Sequence, residues 1–345
     1  MQIKLSEFNI FPIADSARRA DISDEIYFGE KYKHYISNSK LASICPSQGG
    51  SMEKYYGPAE RIETSSLSLG TVIHTQTLQP GEFELAPKID KPTAKLGLAC
   101  DKYVKHIKKG LSKEEAARKA CLEASYYVNQ IEKYFPAVIE KGDIFYEKVK
   151  DYADNVFTLD NKAWDTAMIC IENLKKDRLI QQKLHPLSDF LEELPSFNED
   201  TLFLDFLVTY KDRYVKLSFK GKLDNWTIDT ENKILTLNDL KTTGHCVAWF
   251  TNKEYGSFYK YHYARQLALY KIMLEELCKN EYGYTTKQWQ FKTNILAVET
   301  VLENNTRCIP ITNTALKEGK AELYDCIKRV AYYEMFGHKK EVKFV

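Results

Sequence analysis

Along the chain the spacing of apolar side chains changes once, at Thr201. Upstream, residues 93 to 184 follow the helical period: Thr93 is a candidate N-cap for a helix ending at Gly110, Ser112-Lys113-Glu114-Glu115 has capping-box form, and Asp160-Asn161 opens a third long amphipathic stretch. Downstream, alternation with period two predicts strands over Leu202 to Tyr210, Tyr214 to Asp224, Trp226 to Asp229 and Lys233 to Lys241. The short polar joints Lys211-Asp212-Arg213 and Thr230-Glu231-Asn232 suit hairpins between them. A helix from Phe258 to Cys278, a strand pair (Gln290 to Val301, Thr306 to Ile311) and a last helix from Asn313 to Phe336 complete that half. Nearer the start, a helix over Ser65 to Leu78 stops at Pro80-Gly81; residues 1 to 50 read as irregular apart from a short helix around Lys40 to Cys45. Helices flanking a strand meander predict an α/β fold. We expect one domain over 1–345, with 93–200 as a helical insertion or arm and 201–345 as the core.

Length and composition refine this little. A chain of 345 residues can bury a sizeable core, and a net charge of +1 leaves any nucleic-acid role to local patches. No stretch approaches the roughly 18 consecutive apolar residues of a membrane span, and the opening residues lack the apolar core of a signal peptide, so a cytoplasmic protein is expected. The eight cysteines are scattered without a C-x-x-C pair, which predicts reduced, mostly buried thiols and no iron–sulfur cluster.

The candidate chemistry begins at Asp239-Leu240-Lys241, after the apolar run Ile234-Leu235-Thr236-Leu237. On a strand, residues 239 and 241 leave one face together. The carboxylate can hold a divalent cation while the neighbouring amine orients or deprotonates a water and balances phosphate charge. Acidic-x-Lys also occurs at Asp160, Glu231, Glu318 and Glu341, so context decides: only Asp239 has a carboxylate, Asp224, ending a strand upstream and the helical pair Gln266 and Tyr270 one turn apart downstream. Asp224 and Asp239 are candidates to share one or two Mg²⁺ or Mn²⁺ ions, with the Leu240 carbonyl beside them. Lys216, Ser218, Lys220, Lys222 and Asp224 share a strand face, and if it lines a groove its lysines neutralise phosphates; a solvated edge strand is the other reading. Basic and aromatic residues interleave from Tyr255 to Arg265, where rings can stack on frayed bases and Arg265 can meet phosphate, although Tyr259, Tyr261 and Tyr263 also suit a core face. Gly70 and His74 share a helical face, where a structural histidine and a metal ligand are both open readings.

Gly221-Lys222-Leu223-Asp224, Asn238-Asp239-Leu240-Lys241-Thr242-Thr243 and Gln266-x-x-x-Tyr270 together resemble the RecB-like branch of the PD-(D/E)xK nucleases. Within it the chain is similar to the RecE (exodeoxyribonuclease VIII) and phage exonuclease family. Tyr35 to Leu41, Leu69-Gly70-Thr71-Val72-Ile73-His74, Leu78 to Phe83 and the strand at Leu296 to Thr300 extend the likeness over most of the chain. The resemblance implies a restriction-endonuclease-like core, His74 beside the two acids at the metal, and Gln266 and Tyr270 bracing the site. It further implies Mg²⁺-dependent 5′ to 3′ digestion of linear double-stranded DNA, a ring-like homo-oligomer, and work beside a single-strand annealing protein in phage recombination. Endonuclease or single-strand nuclease activity, or a catalytically silent DNA-binding module, are the alternatives.

Overall fold

A computed structural model describes residues 2–57, 65–81, 84–152, 156–301, 303–337 and 342–345; Glu82 and Phe83 of the resemblance lie outside these. Its centre is a six-stranded sheet whose spatial order follows the chain: β1 (Phe8–Ala20), β2 (Ser196–Tyr210), β3 (Arg213–Asp229), β4 (Ile234–Thr243), β5 (Gln290–Glu299) and β6 (Thr306–Pro310). Every neighbouring pair is antiparallel except β4–β5, which is parallel. Parallel neighbours cannot be joined by a tight turn, so the connection passes back over the sheet, and it carries the helix Tyr263–Tyr282.

Helices cover the sheet in two layers. Leu204, Phe206, Phe219 and Leu237 pack with Leu269 and Met273 of the crossover helix and Ile327 of the C-terminal helix Asn313–Phe336. Those two helices touch backbone to backbone: a Cβ on Gly319 would sit 2.1 Å from the Ala264 carbonyl oxygen, so only glycine fits there. In the second cluster Leu240, Leu296 and Val298 meet Val72 and Ile73 of helix Ser65–Leu78 and Cys170 and Leu174 of helix Asn161–Lys176. The protein has the mixed, helix-flanked sheet of a restriction-endonuclease-like α/β fold.

Helices Ala94–Lys108, Lys113–Glu123 and Ile131–Val149 pack largely on one another through Ala99, Tyr103, Ala116, Ala120 and Val138. Ser112 caps the second by accepting from the Glu115 amide, and Asp160 caps Asn161–Lys176 in the same way through Ala163. All eight cysteines are free, and six are buried. Among the described residues no helix is long and apolar enough to cross a membrane.

Four of the differences from the sequence expectation shape the sheet and the helix beside the site. Residues 8–20, read as irregular, form β1; Pro12 and a register shift between Ile13 and Arg18 obscure the alternation, and both are tolerated because β1 is an edge strand. β2 begins at Ser196, before the expected Leu202 and within the stretch assigned to the helical insertion. The two strands expected around Asn225 are one, because that buried amide bonds Asn198 Oδ1 and Ser196 Oγ across the sheet. Finally, the helix expected from Phe258 divides at His262, whose φ of +53° interrupts the helical backbone between Ser257–Lys260 and Tyr263–Tyr282.

Candidate active site

The site lies where two strands part. β3 and β4 are paired from Asn225↔Asn238 to Asp229↔Ile234 and not beyond, so Asp224 and Asp239 stand at the mouth of a fork. The Leu240 amide donates instead to Asp224 Oδ2 at 2.7 Å. Lys241 Nζ reaches into the fork, 2.8 Å from Asp239 Oδ2 and 3.4 Å from Asp224 Oδ2, and donates to the Leu240 carbonyl at 3.2 Å. Gln266 Nε2 donates to Asp239 Oδ1 at 3.2 Å.

His74 closes the other side. Its Nε2 lies 2.9 Å from Asp224 Oδ2 and its Nδ1 2.8 Å from Glu199 Oε1. Glu199, on β2, sits between the register pairs Asn198↔Asn225 and Asp200↔Leu223, across the hairpin from Asp224. Its backbone is held at φ +50°, sparsely populated for a residue with a side chain. Two glycines let the elements close in: a Cβ on Gly70 would come within 3.0 Å of Thr242 Oγ1, and one on Gly221 within 2.8 Å of Tyr270 Cε1. The Tyr270 ring thus packs on β3 at Gly221, while Gln266, on the same helix, reaches the acid directly.

Charge is concentrated here with little water to dilute it. Burial raises the Asp239 carboxyl well above the carboxylate range, only partly opposed by Lys241. Burial acts the same way on Asp224, but His74, Lys241 and the Leu240 amide outweigh it and hold that carboxyl below the ordinary value. His74 is pushed up to about 10, burial opposing and Asp224 and Glu199 prevailing. Lys241 stays protonated because Asp224 and Asp239 outweigh its burial.

The donors fit a hard divalent cation. His74, Glu199 and Asp224 offer ligand atoms all within 4.8 Å of one another. Two carboxylate oxygens in the cluster, Glu199 Oε1 and Asp239 Oδ2, are buried with no hydrogen-bond donor of their own, although His74 and Lys241 lie in ion-pair contact. Oxygen-rich, anionic and incompletely satisfied, the cluster suits Mg²⁺ or Mn²⁺ and not a soft, thiolate-seeking metal.

The fork therefore brings together His74, Asp224, Asp239, Leu240, Lys241, Gln266 and Tyr270, and it adds Glu199, which the sequence reading missed. The basic residues offered for DNA are placed differently. β3 is an interior strand, so its lysine face is not a solvated edge. Nor is that face an open groove: the N-terminal segment lies over it, with Lys220 Nζ donating to the Tyr27 carbonyl at 2.6 Å and Lys222 held between Asp24 and Glu199, both at 2.7 Å. Lys216 is exposed, 3.1 Å from Asp205. Arg265 is turned inward and 1 % exposed; its Nε donates to Asn38 Oδ1 at 3.0 Å, so it joins helices and does not face solvent.

A mixed sheet forking at Asp-(x)n-Asp-x-Lys is the architecture of the PD-(D/E)xK proteins. The comparison with family profiles agrees: residues 37–339 match the PDDEXK-like domain of unknown function (DUF3799), and the chain belongs to that family. No curated protein matches. Among solved structures, one from Eubacterium rectale described as a "Putative exonuclease" is 14 % identical, covering 90 % of this chain and 85 % of its own with a TM-score of 0.46.

Proposed function

We propose that the protein is a metal-dependent deoxyribonuclease that hydrolyses phosphodiester bonds of linear double-stranded DNA as an exonuclease, from 5′ to 3′. The reading is carried by one observation: two buried aspartates share one lysine at the strand fork, whose Nζ lies 2.8 Å from Asp239 Oδ2 and 3.4 Å from Asp224 Oδ2. Asp224 and Asp239, with His74 and the Leu240 carbonyl, would hold one or two Mg²⁺ or Mn²⁺ ions. An ion bound there supplies positive charge to the phosphate under attack and to the departing oxygen. Lys241 keeps its proton, so it acts as a donor that orients the attacking water and offsets charge gathering on the phosphate. Gln266 fixes the Asp239 carboxylate plane from Oδ1, which leaves Oδ2 turned to Lys241. Tyr270 keeps helix and strand in register through Gly221.

The resemblance to the RecE and phage exonuclease family extends the proposal to a homo-oligomeric ring working beside a single-strand annealing protein in phage-type recombination. A single nuclease domain, with helices Ala94–Lys108, Lys113–Glu123 and Ile131–Val149 as its arm, is part of the same reading. Digestion of a duplex labelled at one 5′ end, in Mg²⁺, tests it. Early release of labelled mononucleotide, with covalently closed circles left intact, is expected; cut circles or long internal fragments would make the enzyme an endonuclease.

A further inference from the structure

Of the four tryptophans, Trp226 and Trp289 are buried and Trp164 is half-buried with its indole N–H on the Ala86 carbonyl; Trp249 is 57 % exposed. A single exposed ring is ordinary, but several exposed aromatics on one short segment form a patch that points to an interaction. Trp249 belongs to the segment 244–262, which leaves β4 three residues after Lys241 and displays two more rings, Tyr255 at 51 % and Tyr261 at 49 % exposure. We infer that Trp249, Tyr255 and Tyr261 form a stacking surface for unpaired bases of the DNA strand whose phosphodiester lies at the Asp224–Asp239–Lys241 fork, an inference that rests on the nuclease reading.

The rings are tied to the fork by contacts. The Tyr263 ring lies 5.4 Å from Lys241 Nζ; Tyr261 is 5.8 Å from Tyr263, and Phe250 stacks on Tyr263 at 5.9 Å and 9°. Trp249 adjoins Phe250 in sequence and meets Tyr255 edge-on at 5.8 Å and 80°, an arrangement that leaves a ring face for a third partner. Tyr263 and Phe250 form the inner layer, so the bases would meet Trp249, Tyr255 and Tyr261 outside it.

The surface is also preorganised. Asn252 Oδ1 accepts from the amides of Glu254 and Tyr255, and its carbonyl accepts from Gly256, where a Cβ would stand 2.5 Å from that same oxygen. The Val247 amide is anchored on buried Glu299, and Arg307 donates to the Ala248 carbonyl beside Trp249. Lys260 Nζ lies 5.4 Å from the Tyr261 ring, exposed Arg307 reaches the Ala248 carbonyl beside Trp249, exposed Lys253 precedes Tyr255 by two residues, and Glu254 is the one acid in residues 244–262. Exposed aromatic rings interspersed with cations suit a single strand, whose bases present open π-faces, and not an intact duplex, whose bases are stacked on one another.

The test uses the full chain with Ca²⁺ in place of Mg²⁺, reading tryptophan emission as oligo(dT) or a blunt duplex is added. Quenching by oligo(dT) well beyond that by the duplex is expected, and Trp249→Ala and Tyr261→Ala should each weaken oligo(dT) binding about tenfold or more while Mn²⁺ affinity and thermal midpoint stay put. Equal quenching by the two DNAs, or an unchanged oligo(dT) affinity in both variants, would overturn the assignment. A wild-type chain that cuts DNA without these signals loses only the stacking surface; one that neither binds nor cuts any DNA loses the nuclease reading with it.

Discussion

Glu199 and Asp224 face each other across the β2–β3 hairpin, and one imidazole joins them: His74 touches Glu199 through Nδ1 at 2.8 Å and Asp224 through Nε2 at 2.9 Å. Glu199 thereby adds a carboxylate to the proposed metal site. Glu199→Gln should therefore lower Mn²⁺ affinity by roughly ten- to a hundredfold. Titration calorimetry on the folded variant checks this, and an unchanged affinity would remove Glu199 from the site.

Gly221 is glycine because Tyr270 occupies the space of a side chain. Gly221→Ala would place a methyl 2.8 Å from Tyr270 Cε1 and 3.1 Å from Met273 Sδ, so ring and helix must shift. Overpacking of this kind costs about 1–3 kcal/mol, and the displaced helix also carries Gln266. Urea denaturation should show the loss of stability, with a fall in kcat larger than any change in KM.

Arg265 separates a structural cation from a DNA-binding one. Buried between Asn38 and Glu322, its removal in Arg265→Met should destabilise the fold by about 3 kcal/mol. The slope of log DNA affinity against log salt should stay as in wild type, because no phosphate contact is lost; a slope lower by about one would return Arg265 to the DNA.

Glu322 gathers the N-terminus of the crossover helix. Burial acts to raise its carboxyl, but hydrogen bonds from Ser47, Cys45 and His262 prevail and hold it below its ordinary 4.5. A depressed folded value means the unfolded chain binds the proton more readily, so this stabilisation is present above the unfolded pKa and is lost as pH falls through the folded one. The stability gap between wild type and Glu322→Gln should thus be widest at neutral pH and shrink on acidification below about 4.5. Denaturation midpoints across that range would show it; a constant gap would contradict the role.

Much of the site was legible because its parts are local. Asp239 and Lys241 are two residues apart on a strand, and Gln266 and Tyr270 are four apart on a helix, so period alone groups each pair. Glu199 was legible in principle: the two-residue turn at Lys211–Asp212 sets Tyr210 against Arg213, and counting back along that register brings Glu199 opposite Asp224. It was lost because Asn198, Glu199 and Asp200 break the apolar alternation and moved the expected strand start to Leu202. The buried amide Asn225 hid the continuity of β3 in the same manner, since it is satisfied by Asn198, Ser196 and Asn238 on the neighbouring strands and no single-strand pattern reveals that. The inward turn of Arg265 depended on Gly319, from a helix more than fifty residues later, bringing two backbones into contact.

The proposed catalytic unit on DNA is the pair Asp239 and Lys241. Its most direct test is the initial rate at which Asp239→Asn, verified as folded and with Lys241 intact, degrades linear duplex in Mg²⁺. A fall of roughly a thousandfold or more from wild type is expected, the loss of several kcal/mol of transition-state stabilisation; digestion at the wild-type rate would contradict the account.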